Sequence, residues 1–300
     1  MQISTSTFFR RQGEAISDLK TQAANLEEHI ATGKQVEQPS DDPVSFSAIS
    51  ILKARQGRIT QYSKTIDAIS ERLSTEDSVM TQATNILTRL QELTVQMGND
   101  TYSASDRKAV STEVDSLNSA LVSLANSKTS DGSYLFAGYM ANSEPFKTTN
   151  SKTDYSGDTG RLSLTISDGT DMEISSSGQE VFMAVKTGAG TTKSIFEIVQ
   201  TISNKLKNGE SPAASLADLT AAGDHINAYH AITGARQSRI NSAADQHAAD
   251  KLATTTRLST LEDTDVEKAI TELKQKMTSI DAAQSSFARI SSLMLFNYLK

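Results

Sequence analysis

The residues considered first as possible metal ligands are the four histidines and the adjacent carboxylates Asp41 and Asp42. The histidines are His29, His225, His230 and His247. His225 and His230 are five residues apart, so they do not share a helix face as an i, i+4 zinc pair would. Histidine is a common metal ligand mainly in clusters, so this spacing predicts solvated or boundary histidines. Asp41 and Asp42 could be metal ligands or acid–base groups, but no further ligand cluster lies nearby in the sequence. Asp42 before Pro43 is typical of a helix N-cap, and we predict that role.

A second possible site is the stretch Thr-Gly-Ala-Gly-Thr-Thr-Lys-Ser at residues 187–194, between a predicted strand and a predicted helix. Phosphate-binding loops occupy such a place. A P-loop needs a glycine before its lysine and another that opens the motif, and these positions hold Thr192 and Thr187. We therefore predict a flexible return from strands to helices.

Other catalytic signals are missing from the sequence. There is no Cys, which excludes a thiolate nucleophile and a cysteine-ligated zinc site, and there is no Gly-x-Ser-x-Gly motif. The sequence therefore predicts no catalytic, cofactor or metal site. An enzyme stays the last alternative, because active sites can assemble from residues far apart in sequence.

The composition favours thin helical packing. Hydrophobic residues make up 37% of the 300 residues, aromatic residues 5%, and Trp is absent, values that suit long helical pairs. The net charge of −7 argues against nucleic acid or an anionic membrane as a partner. No apolar run approaches 18 residues, and residues 1–13 lack a signal-peptide run. These facts predict a cytoplasmic protein or one exported without a cleaved signal.

The end of the chain has the spacing of a coiled-coil helix. From Val266, steps of four and three residues lead to Ile270, Leu273, Met277, Ile280, Gln284, Phe287, Ser291 and Met294. After Phe287 the apolar residues cover more than one face. Such a helix must be surrounded by protein or lipid, so we predict that a partner outside this fold covers it.

The start of the chain has a second seam of the same kind. Its positions are Phe9, Ile16, Leu19, Ala23, Leu26 and Ile30, and Gly33 is a predicted left-handed cap. Two terminal helices of similar length predict one coiled coil made from both ends. The predicted subunit-interface residues are Phe9, Ile16, Leu19, Leu26, Phe287, Ile290, Leu293, Leu295, Phe296 and Leu299.

Between these ends the sequence predicts helices, then a β segment, and then helices again. Regular apolar spacing predicts a long helix over residues 59–97, whose seam is better explained as the core of a bundle than as a partner surface. Strands are predicted at residues 134–139, 162–166 and 181–185, with a hairpin turn at Asp168 and Gly169.

The predicted fold is mainly α, an elongated helical bundle with terminal coiled-coil helices and a small β-rich inserted domain. Residues 1–40 with 260–300 are the predicted terminal stem, and residues 41–130 with 190–259 the long-helix bundle. Residues 131–189 are the predicted β-rich outer insert.

Several motifs resemble one family of flagellar proteins. They are the stretches at residues 3–6, 32–34 and 39–43, the Gly-Ser-Tyr-Leu-Phe-Ala-Gly segment at 132–138, Pro145 with Phe146, the Tyr-Ser-Gly-Asp turn at 155–158, and the closing stretches at 261–265 and 287–299. In this order they are similar to the hook-associated protein 3 family, the FlgL-type hook–filament junction proteins of bacteria. The segment at 132–138 with Pro145 and Phe146 favours this family over flagellin.

The resemblance implies a structural axial protein of the bacterial flagellum, secreted by type III export and located at the hook–filament junction. The implied partners are the first hook-associated protein, flagellin, copies of itself in a ring, and an export chaperone on the C-terminal helix. The terminal helices would form the inner tube and the β insert would face outward. Two alternatives stay open at this point, a flagellin that polymerises alone and a soluble coiled-coil binding module.

Overall fold

The computed structural model describes the backbone of residues 2–188 and 190–298 and the side chains of residues 7–188 and 190–292. The helices are α1 (Gln2–Thr32), α2 (Pro43–Met97), α3 (Ala104–Ala125), α4 (Gly178–Phe182), α5 (Ile195–Lys207), α6 (Leu216–Glu262) and α7 (Val266–Tyr298), with a 3₁₀ turn at Ala213–Ser215. The strands are β1 (Phe146–Thr149), β2 (Lys152–Tyr155), β3 (Ser163–Ser167), β4 (Thr170–Glu173), β5 (Val185–Lys186) and β6 (Thr192–Lys193). The mainly α fold class is confirmed.

The chain forms two compact units. Residues 1–58 and 250–300 form the first, which we call the terminal unit, and residues 59–249 form the second, the central unit. The central unit contains the second part of α2, most of α6, the helices α3 to α5 and all the strands. The terminal unit pairs α1 with α7 and also contains the first part of α2 and the last part of α6.

Local capping chemistry explains where several helices begin and end. Asp42 Oδ1 accepts hydrogen bonds from the backbone N–H groups of Val44 and Ser45, at 3.0 and 3.1 Å, so α2 begins at Pro43 as predicted. Gly33 follows α1 with φ 72°, the left-handed conformation predicted for it. Ser103 and its partner three residues later form a capping box at the start of α3.

The β segment consists of three antiparallel hairpins rather than one sheet in the described part of the chain. The predicted hairpin around Asp168 and Gly169 is confirmed as β3–β4, in which Leu164 pairs with Met172. The stretch at 187–194, predicted to be flexible, contains β6, which pairs with β5. The prediction of a flexible return is therefore wrong for these paired residues.

One predicted strand is wrong and another is wrong in part. Residues 134–139 form turns with one isolated bridge, and in the predicted strand 181–185 the first two residues belong to helix α4, whereas Val185 begins β5. Leu135, Phe136 and Ala137 are buried consecutively, whereas a half-buried strand alternates. Ser177 accepts a hydrogen bond from the N–H of Gln179 and caps α4, which gives this short apolar stretch a helical start.

The core of the central unit is built around aromatic rings. Phe146 contacts Phe182, Phe196 and Tyr155 with ring-centroid distances of 5.5, 5.4 and 5.1 Å. Gly178 is required beside them, because a Cβ there would lie 2.7 Å from Phe146 Cζ. These rings join the β segment to α5, so the motif at 132–138 with Phe146 has a packing role.

Candidate subunit-assembly surface

The α1 and α7 helices lie antiparallel in the terminal unit. The rings of Phe9 and Phe287 make a T-shaped contact with centroids 5.3 Å apart, and Lys276 Nζ donates to Gln22 Oε1 at 2.7 Å. Higher residue numbers in α1 thus face lower ones in α7, and Ala23 and Ala269 are buried. This is the pairing of the chain's two ends that their seams predicted.

The predicted interface residues with described side chains are half-buried: Phe9, Ile16, Leu19, Leu26, Phe287 and Ile290. One partner helix therefore covers these side chains incompletely. The side chains of Leu293, Leu295 and Phe296, and the whole of Leu299, lie outside the described residues. The role of this set as an interface between subunits stays a prediction.

Three residues in the first half of the α7 seam are exposed, which the sequence did not predict, whereas Leu273 between them is half-buried. Val266, Ile270 and Met277 keep 43%, 40% and 51% of their surface exposed. Ala269, one position from Ile270, is the buried residue at this end of α7. We call Val266, Ile270 and Met277 the α7 ridge.

A second apolar surface of the terminal unit lies between the start of α2 and the end of α6. It is a depression of about 470 Å³ lined by Ala48, Ile51, Leu52, Arg257, Thr260 and Leu261. Ile51 is 68% exposed. We call these six residues the α2–α6 groove. The two sides of the groove lie about 200 residues apart in the chain, so no local pattern could have predicted it.

A clamp around Glu262 fixes the junction where α1 ends and α7 begins. Lys34 Nζ and Lys53 Nζ both lie 2.8 Å from Glu262 Oε1, and Thr264 N–H donates to the Gly33 carbonyl at 2.8 Å. Burial alone would raise the pKa of Glu262, but the hydrogen bonds and charges of the two lysines outweigh it and lower this pKa. The clamp therefore holds a charged carboxylate at neutral pH.

The residues considered for chemistry have structural roles. Asp41 Oδ2 accepts from the N–H groups of Glu37 and Gln38, and these hydrogen bonds lower the pKa of Asp41. Lys193 Nζ, of the stretch at 187–194, lies 2.7 Å from Asp218 Oδ2. Among the described residues no group of three or more His, Asp or Glu side chains could hold a metal ion.

The prediction of solvated or boundary histidines is wrong for His247. This residue is only 7% exposed, and its Nε2 lies 2.7 Å from the Ile166 carbonyl oxygen of β3. Since a carbonyl only accepts, Nε2 carries the proton. The ring also stacks on Tyr62 with centroids 5.6 Å apart. His247 therefore anchors the β3–β4 hairpin to α6.

No helix within the described residues has the length and apolar character needed to cross a membrane. The surface that stands out is the incompletely covered α1–α7 pair with its adjoining ridge and groove. Apolar side chains that one chain covers only in part are typical of assembly surfaces. The terminal unit is therefore the candidate functional site.

Comparison with known proteins points to one family. The model of the bacterial flagellin N-terminal helical region matches residues 3–141, and that of the flagellin C-terminal helical region matches residues 216–299. The chain is 26% identical to flagellar hook-associated protein 3 of Salmonella typhimurium, over 99% of both chains. It is 28% identical to a flagellin of Listeria monocytogenes, over 38% of both.

The fold agrees with these matches. The crystal structure of a flagellar hook-associated protein 3 from Legionella pneumophila aligns with a TM-score of 0.66 at 19% identity and covers 71% of this chain and 98% of that one. The family predicted from the sequence motifs is confirmed. The two helical regions matched by the family models together span well over half of the sequence, and the chain belongs to the flagellin family, in its hook-associated protein 3 branch.

Proposed function

We propose that this chain is a structural axial protein of the bacterial flagellum that joins the hook to the flagellin filament and has no catalytic role. The observation that carries the proposal is the similarity to hook-associated protein 3 along the whole chain, including the β segment. The alignment with the flagellin of Listeria monocytogenes covers 38% of the chain. A junction adaptor is therefore favoured over a filament subunit.

The antiparallel α1–α7 pair supports a role in assembly. Its apolar side chains are half-buried in the single chain, and burial of a full Leu or Phe side chain contributes about 1.5–3 kcal/mol. Contact with further subunits would bury the remainder. The proposed partners are copies of this chain in a ring, the first hook-associated protein on one side and flagellin on the other.

An export chaperone is the proposed partner before assembly. The C-terminal end of α7 is apolar on several faces in the sequence, and such a surface needs a cover while the chain is not yet assembled. The same residues would then exchange the chaperone for neighbouring subunits. The proposed location is the hook–filament junction, reached by export without a cleaved signal.

The experiment that tests this function is a deletion of residues 293–300 in the parent bacterium, with flagellin measured in the culture medium. We expect hooks without filaments and flagellin lost to the medium, while amide exchange of residues 59–249 stays that of the full chain. The control strain keeps residues 293–300 and carries Leu252→Ala, a substitution at an exposed position of α6. Normal filaments in the deletion strain would contradict the proposal.

The filament-subunit alternative is tested with purified protein. A flagellin would extend into long filaments by itself when its concentration is raised, whereas a junction adaptor would add to hook ends and stop. Electron microscopy of hooks incubated with an excess of the full chain separates the two. Long filaments made of this chain alone would favour the flagellin alternative.

A further inference from the structure

Two apolar surfaces of the terminal unit remain uncovered in the folded chain and differ in shape. The α7 ridge projects from one face of a single helix, and its three members keep at least 40% of their surface exposed. The α2–α6 groove is concave and lies between two helices, with Ile51 and Leu261 in its lining. Because both stay exposed in the same chain, neither covers the other within it.

Charged side chains border both surfaces, and they include an arginine at the groove and a glutamate beside the ridge. Arg257 lines the groove, and Glu267 stands on α7 next to Val266, about 100° around the helix from it. Lys276 lies on the opposite side of the ridge, toward α1, where its Nζ donates to Gln22 Oε1. Neither Arg257 nor Glu267 makes an ion pair with another described side chain.

The charge of the terminal unit suits contact between identical copies. Acidic and basic side chains are equal in number over residues 1–58 and 250–300, so the net charge of −7 lies wholly in residues 59–249. Two terminal units therefore meet without net repulsion, whereas two central units repel each other. A second copy of this chain is the partner that this distribution favours.

We propose that the α7 ridge of one copy packs into the α2–α6 groove of the next, with Glu267 facing Arg257 of that neighbour. This inference rests on the proposed assembly function and specifies which surfaces meet. Ridge and groove are different surfaces, so the contact is heterologous and each copy still offers a free ridge or groove to another. Repetition of such a contact generates a ring or a helical row, and the apolar core with a charged border follows the usual interface anatomy.

The absence of cysteine from the sequence allows a direct test by cross-linking. Ile51→Cys and Ile270→Cys variants of the full chain are expressed together in a strain that lacks the native chain, and isolated hook–filament structures are treated with a short bismaleimide. We expect a covalent dimer only when both variants are present. The control pairs Ile270→Cys with Leu252→Cys, a site that is 70% exposed on α6 but outside the groove, and should give no dimer.

Several outcomes would overturn the proposal. Dimers of equal yield from either variant alone would mean a symmetric contact, and a cross-link from Ile270→Cys to flagellin or another protein would mean a different occupant. Incorporation of both variants without any dimer, repeated with Met277→Cys in place of Ile270→Cys, would also exclude the contact. Failure of the unsubstituted chain to appear in hook–filament structures would instead contradict the proposed function, so the two failures are distinguishable.

A charge exchange tests the polar border separately. Glu267→Arg or Arg257→Glu alone should lower the yield of the Ile51→Cys with Ile270→Cys dimer by about two- to tenfold, the range expected for an exposed ion pair that becomes a repulsion. Both reversals together should restore the yield to within about twofold. Equal losses in the single and double variants would show that these two residues do not face each other.

Discussion

Replacement of Phe287 by Ala should open the α1–α7 pair without unfolding the central unit. The ring of Phe287 is half-buried and lies edge-to-face against Phe9 at 5.3 Å. An aromatic pair contributes about 0.5–1.5 kcal/mol beyond its buried area. Half of the burial of a phenylalanine adds about 1 kcal/mol.

Phe287→Ala should therefore lower the free energy of opening the α1–α7 pair by about 1.5–2.5 kcal/mol. This loss makes the equilibrium constant for opening about 10- to 70-fold larger. Amide hydrogen exchange on the full chain measures this loss, because the amides of α1 and α7 around the contact should exchange faster by that factor. Exchange in residues 59–249 should not change. Phe8→Ala is the matched control, since Phe8 is 38% exposed and its ring contacts Phe9 within the same helix.

A double-mutant cycle decides whether the two rings interact in solution. If they do, Phe9→Ala and Phe287→Ala together should cost about 0.5–1.5 kcal/mol less than the sum of the single losses. Simple additivity of the two effects would refute the ring contact. Faster exchange confined to α7, with α1 unchanged, would refute the pairing of the two helices.

Three further predictions concern single positions. Burial raises the pKa of Glu76 above its ordinary 4.5, so the free energy of unfolding should rise as the pH falls through the raised pKa toward 4.5. Urea unfolding of Glu76→Gln should lack this trend. The pKa of Glu262 is lowered, so Glu262→Gln should lower the free energy of unfolding by about 1 kcal/mol at pH 7. This difference in stability between the variant and the native chain should disappear as the pH falls below 4.5. Gly178→Ala should destabilise the central unit by about 1–3 kcal/mol, because the added Cβ overpacks the core. Gly234→Ala should stabilise it by about 0.5–1 kcal/mol, because the position lies within α6 and has free space for a Cβ. Thermal unfolding of the two variants measures both effects.

The features predicted correctly from the sequence depend on neighbouring residues. Asp42 caps α2 with atoms two and three residues away, Gly33 supplies its own left-handed conformation, and Asp168 and Gly169 turn a hairpin whose strands follow directly. Each of these features is set by the local backbone conformation and by hydrogen bonds between neighbouring residues, so it forms whatever the tertiary contacts are. The pairing of the chain ends was also predictable, because each end carries a seam that needs a partner, but its antiparallel direction was not.

The errors arise where distant contacts decide the structure. His247 is buried because its ring reaches the Ile166 carbonyl, 81 residues away in the chain. Leu135 and Phe136 enter the aromatic core as consecutive buried residues of a turn, and their aromatic and β-favouring composition was mistaken for a strand. The groove could not be predicted, because Ile51 and Leu261 meet only when α2 and α6 lie side by side.

The exposure of Val266 agrees with a mismatch between the sequence repeat and the helix. The seam of α7 repeats every seven residues, and in a straight α-helix such a stripe rotates by about 20° per heptad. Val266 lies three heptads before Phe287, so about 60° separates the two residues around the axis. A partner helix that covers Phe287 therefore leaves Val266 turned toward its outer edge, which agrees with the 43% exposure of Val266. One seam in the sequence thus gives two surfaces in the fold, one that pairs α7 with α1 and one that remains available to a neighbouring chain.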